Sequence, residues 1–147
     1  MDEEIKGPAW PEDGASARAL VKNLRVSDTD ALFAFLLRAA AHRQWDFVAL
    51  TLEEMSGYAA ARGVRILGLR PKPLVEWMHL YRLTSLPPRL MPLLIDVIRF
   101  ATPTFNLAGD PLEPERPPSA VLHAAFAVSH PGIEEDKERL RAKLRGR

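Results

Sequence analysis

The 147-residue chain contains no cysteine, which removes disulfides, thiolate catalysis and cysteine-held zinc or iron–sulfur centres together. That absence fits a reducing compartment, and a cytoplasmic location is the expectation. The opening MDEEIKGPAW is acidic and has no apolar core of signal-peptide length, which argues against secretion by that route. No stretch approaches the ~20 apolar residues of a membrane span. Phosphate-loop glycines are missing as well. Gly57, Gly63 and Gly68 are too widely spaced, and neither G-x-G-x-x-G nor G-x-x-x-x-G-K-[ST] occurs, so no dinucleotide or Walker-type nucleotide site is expected. The four histidines, His42, His79, His123 and His130, form no H-E-x-x-H pair and no close cluster, and no cofactor is expected.

An excess of one charge is also lacking, with 20 basic residues against 19 acidic ones. The distribution is uneven: residues 1–63 carry seven basic against ten acidic side chains, residues 64–100 six against two, and the remainder seven against seven. A basic middle of this size is weak beside the footprint of a typical nucleic-acid binder, so nucleic acid is not the expected partner.

What the chain does have is apolar helical pattern. Apolar residues make up 47% and charged residues 27%, ordinary values for a soluble globular protein. One domain of this length buries roughly two-thirds of its unfolded surface without staples. The densest segment is residues 86–103, LPPRLMPLLIDVIRFATP, in which four prolines bracket an apolar run. Leu90, Met91, Leu93, Leu94, Ile95, Val97, Ile98 and Phe100 cover nearly every direction around a helix, so this element needs cover on most sides. The apolar faces at 32–37, 48–59 and 74–81 are the expected cover.

Helical spacing and its punctuation set the remaining elements. Residues 1–13, rich in acid with Pro8 and Pro11, read as a flexible arm. A short helix is expected over 15–24, followed by one starting at the S-x-x-D signal of Ser27 and Asp30. Leu32, Phe33, Phe35, Leu36 and Leu37 populate almost all its sides, which marks a central helix. A polar bend at 42–46 separates it from a helix over 46–62 with Val48, Leu52, Met55 and Ala59 on one face, although the alanine-rich flanks also permit one continuous helix. Residues 64–69 have strand flavour without a mate and read as an extended connector. Pro73 opens the next helix, to about residue 83. The 86–103 helix starts between Pro88 and Pro92, and residues 101–118, with five prolines, form a long irregular link. Helices over 119–128 and 133–145 follow, the last with acids first, bases last and the stripe Ile133, Leu140, Leu144. The fold expected is all-α: a single compact domain of six or seven helices at 14–147.

Several side chains carry chemistry worth locating. Glu76 and His79 form Glu-x-x-His, the spacing found twice in four-helix di-iron sites, but the second copy is missing and an ordinary helix-surface pair is expected. Trp77, His79, Tyr81, Arg82 and Arg89 can make an aromatic-basic surface for an anionic ligand, although Trp77 and Tyr81 also have the four-residue spacing of a core stripe. His42, with Trp45 and Asp46, can line a polar pocket at the bend. The basic tail, with Arg139, Arg141, Lys143, Arg145 and Arg147, reads as a solvated terminal helix.

Residues 53–67, EEMSGYAAARGVRIL, loosely resemble the carboxylate-helix-glycine passage in the helical C-terminal domain of ketopantoate reductases, over about a tenth of the chain. In that family the domain accompanies a dinucleotide-binding half with a glycine fingerprint, which is absent here. The function expected from the residues is macromolecular binding, to a protein partner or to a second copy. The adhesive surface is expected on part of 90–100 or 74–81, with the C-terminal helix as a second candidate. The alternatives are a helical enzyme or carrier with an apolar small-molecule pocket closed by 101–118, and a nucleic-acid-binding accessory protein.

Overall fold

The segment TDALFAFLLRAAA forms the helix around which the rest is arranged, and ten of its thirteen residues are buried. A computed structural model describes residues 14–56, 73–102, 106–110, 112 and 115–145. Among them are seven α-helices: α1 (Gly14–Ser27), α2 (Thr29–Ala41), α3 (Trp45–Ser56), α4 (Leu74–Arg82), α5 (Met91–Ala101), α6 (Pro118–Ala127) and α7 (Glu134–Leu144). A 3-10 turn, Pro88–Leu90, leads into α5. The described residues contain no strand, and they form a single compact all-α domain. No described helix is long and apolar enough to cross a membrane.

The break between α1 and α2 falls one residue later than the S-x-x-D pattern suggests. Ser27 ends α1, its hydroxyl donating back to the Asn23 carbonyl at 2.8 Å. Asp28 is the cap instead, in extended backbone, with its carboxylate accepting from the Ala31 N–H at 3.0 Å. The same carboxylate takes Lys143 Nζ at 2.6 Å, and this bond, followed by the Ala31 amide, holds Asp28 below the usual carboxylate range. Asp28→Ala is therefore expected to cost about 1 kcal/mol, and Ser27→Ala only a few tenths, in paired denaturant titrations. Equal losses would return the cap to Ser27.

At its other end α2 stops in the expected bend. Arg43 adopts φ 60°, the left-handed conformation that a side chain disfavours by about 1 kcal/mol. Its guanidinium secures that turn: Nε donates to the Ala101 carbonyl at 2.8 Å and Nη2 to the Arg116 carbonyl at 2.9 Å, with Glu115 2.9 Å away. One side chain thus ties the α2–α3 corner to the end of α5 and to the far end of the proline-rich link. Within that link, Asn106 Oδ1 accepts the Ala108 and Asp110 N–H groups, and Gly109 supplies the positive φ of 86° that closes the turn.

The cover for α5 comes from α2, α4 and α6. Leu93, Leu94, Val97, Ile98 and Ala101 are buried, while Met91, Ile95 and Phe100 are half-buried. The contribution expected from α3 goes elsewhere: α3 packs on α1, α2 and α4. The arm expected at 1–13, Ala59 on the face of α3 and the extended connector expected at 64–69 lie outside the described residues.

Candidate interaction surface

Helix α4 is fixed from its inner side. Pro73 supplies the restricted φ that opens it, and its carbonyl accepts the Glu76 and Trp77 amides. Trp77 is 0% exposed, with its ring 6.1 Å from that of Trp45. Tyr81, one turn on, meets Phe33 edge to face and donates its hydroxyl to the Pro87 carbonyl at 2.5 Å. Thr84 closes the exit, donating to the Tyr81 carbonyl and accepting from the Leu86 amide. Burial pushes the Tyr81 phenol well above its ordinary value, so it stays a donor. Trp77 and Tyr81 are core residues, and they cannot offer ring faces to a ligand from the surface.

The other α4 candidates stand on the opposite side. Glu76, His79 and Arg82 are exposed, and among the described residues none of the three takes part in a side-chain hydrogen bond or ion pair. Two apolar side chains flank them, Val75 at 69% exposed and Leu83 at 38%. At about 100° per residue, positions 75, 76, 79, 82 and 83 share roughly a third of the helix circumference. Among the described residues no group of three or more ligand-type side chains gathers around Glu76 and His79.

Arg89 has a different role from its α4 neighbours. Its guanidinium makes a two-pronged pair with the buried Asp136 of α7, at 3.0 and 3.1 Å. Arg139 also reaches Asp136 and bridges to Asp30 at 3.1 Å. These pairings, Arg89 first, hold Asp136 below the usual carboxylate range despite its burial. His42 lies half-buried at the α2–α3 bend, where burial, then the charges of Arg38 and Arg43, push it below its ordinary 6.5. A neutral imidazole at pH 7 follows. No hydrogen bond joins it to Asp46, so the pocket expected there is not assembled by that pair.

Sequence reading missed two buried polar arrangements. His130 is 7% exposed and places Nε2 2.7 Å from Asp96 Oδ2, while Arg99 holds the other carboxylate oxygen. Asp96 and His130 lie 34 residues apart, and no local spacing announces them. Lys137 is 2% exposed and donates to the Phe126 and Val128 carbonyls at 3.1 and 2.7 Å, capping the negative end of α6. This one had a signal: 133, 137, 140 and 144 form a single helical stripe, with the lysine inside it. The tail cations are similarly engaged, Lys143 with Asp28, Arg139 with two acids and Arg141 over the Phe126 ring.

No protein-family model, curated protein or solved structure matches this chain.

Proposed function

We propose that this protein acts by binding another protein, which includes a second copy of itself, through the outer face of α4, and that it does so in the cytoplasm. The observation that carries the reading is the contrast between the two sides of that helix. Trp77 and Tyr81 lock the inner side into the core, while the outer side presents Val75 and Leu83 around three polar side chains that have no side-chain partner among the described residues. A preorganised helix face of this kind loses little conformational entropy on docking. Val26, Leu107 and Leu112 are exposed too, but they stand on α1 and on the link without such a frame, and scattered exposed apolar residues are ordinary. The basic tail supports the nucleic-acid alternative poorly, because Arg139, Arg141 and Lys143 are held by acids and a ring of the same chain.

The test places a photo-reactive phenylalanine analogue at Val75 in the full chain and, as control, at the exposed Asn23 of α1. Irradiation in cells is expected to give discrete protein adducts from position 75 and few from position 23. Adducts from neither position, or equally from both, would overturn the reading.

A further inference from the structure

We infer that Arg43 is a latch: its guanidinium holds the proline-rich link between α5 and α6 to the body of the domain, and its release lets the Asn106–Asp110 turn swing away while the helices stay folded. Two main-chain oxygens meet at this side chain. Nε donates to the carbonyl of Ala101, the last residue of α5, at 2.8 Å, and Nη2 donates to that of Arg116, two residues ahead of α6, at 2.9 Å. The chain therefore leaves the helical body and re-enters it at one guanidinium, which makes this point the neck of an Ω-loop. The Arg116 guanidinium adds a contact at the same place, over the ring of Phe100 at 5.0 Å.

Beyond the neck, the Asn106–Asp110 turn is bonded to itself. The Asn106 N–H donates to the Asp110 carbonyl and the Gly109 N–H to that of Asn106, while Asn106 Oδ1 takes the Ala108 and Asp110 amides. All of these bonds stay inside the turn, and residues 106–110 are exposed throughout. A self-bonded turn that buries little surface moves as one piece when its attachment opens. At φ 60° a glycine would make the α2–α3 corner without strain, so what arginine adds at position 43 is its side chain. The hold is also releasable. Nε carries a single hydrogen, yet Glu115 Oε1 lies 2.9 Å from it beside the Ala101 carbonyl, so two acceptors compete for one donor. The Glu115 side chain is 64% exposed, and water screens its share of the attraction. The two carbonyl bonds thus set the closed state, and none of the groups that make it belongs to α4.

Because the chain has no cysteine, two nitroxide labels can be placed cleanly, at Asn23→Cys on α1 and Ala108→Cys in the turn, both exposed positions. Pulsed electron–electron double resonance on the full labelled chain then reads the distribution of distances between them. With Arg43 in place one narrow distribution is expected, and Arg43→Gly, which keeps the corner and removes the latch, should broaden it at least about twofold. Arg43→Lys keeps the charge but lacks the planar fork that serves two carbonyls, so it should broaden the distribution as well. Glu115→Ala removes only the screened prong and should leave it narrow. Circular dichroism and denaturant midpoints check that each variant is folded. A broad distribution with Arg43 in place, folded Arg43 variants that stay narrow, or a Glu115→Ala change as large as that of Arg43→Gly would overturn the inference. Loss of the helices in both Arg43 variants would overturn it too, since release would then be unfolding.

Discussion

Trp77→Ala is expected to destabilise the protein by about 3–5 kcal/mol, the usual loss when a buried aromatic is cut back to a methyl group. The indole is fully buried beside Trp45, on a helix in contact with both α3 and α5, so a cavity there opens at a junction of three elements. In a domain of this size the change corresponds to a fall of about 10 °C or more in Tm. The chemistry of the site sharpens the prediction. Trp77 Nε1 is buried without a hydrogen-bond partner among the described residues, so its polar edge adds nothing that a benzene ring would lose. Trp77→Phe therefore gives up volume only and should cost less than half as much. Denaturant titration of the two variants decides the matter. A Phe variant as unstable as the Ala variant would mean that the indole nitrogen is bonded in solution. His79→Ala, two residues on and on the outer side, has little packing to lose and should leave stability within about 0.5 kcal/mol of wild type.

The second large effect is at Lys137. Lys137→Met keeps most of the stem and removes the ammonium that serves the Phe126 and Val128 carbonyls. Those acceptors lie at the end of α6 and would be left without a donor, for an expected loss of about 2–4 kcal/mol. Lys143→Met, in the last turn of α7, breaks a pair with Asp28 in which both side chains are about a third exposed, and it should cost below about 1 kcal/mol. The contrast separates a buried polar support from a screened surface pair. Raising the salt concentration should narrow the Lys143 difference and leave the Lys137 difference nearly unchanged. Similar losses at both positions would contradict this assignment.

The elements that could be read from the sequence are those with a dense local pattern. Leu32 to Leu37 announce a central helix because apolar residues on every side of one helix have no other stable place, and α2 contacts α1, α3, α5, α6 and α7. Pro73, Pro88 and Pro92 marked helix starts through their ring geometry, and the acid-to-base gradient of 134–143 matched the dipole of α7. The Ser27 and Asp28 shift shows where such reading stops: both residues can cap, and the tie was broken by a serine hydroxyl that bonds back into α1.

The candidate surface was half legible. The four-residue spacing of Trp77 and Tyr81 marked them as core, and the remaining members of that segment, Glu76, His79 and Arg82, are the ones that face outward. Arg89 was grouped with them by sequence proximity, yet its partner is Asp136, 47 residues away. The Arg43 tie to Ala101 and Arg116 and the Asp96–His130 pair are equally long-range, and a periodicity argument has no access to such pairs. A residue's neighbours across the fold decided its role in each case.

Protein binding through the outer face of α4 is tested most directly by a photo-reactive residue at position 79, introduced into the full chain and irradiated in cells. Discrete protein adducts are expected from position 79, because His79 stands in the middle of the exposed face, and few from the exposed Asn23 of α1. Adducts from neither position, or equally from both, would contradict the account.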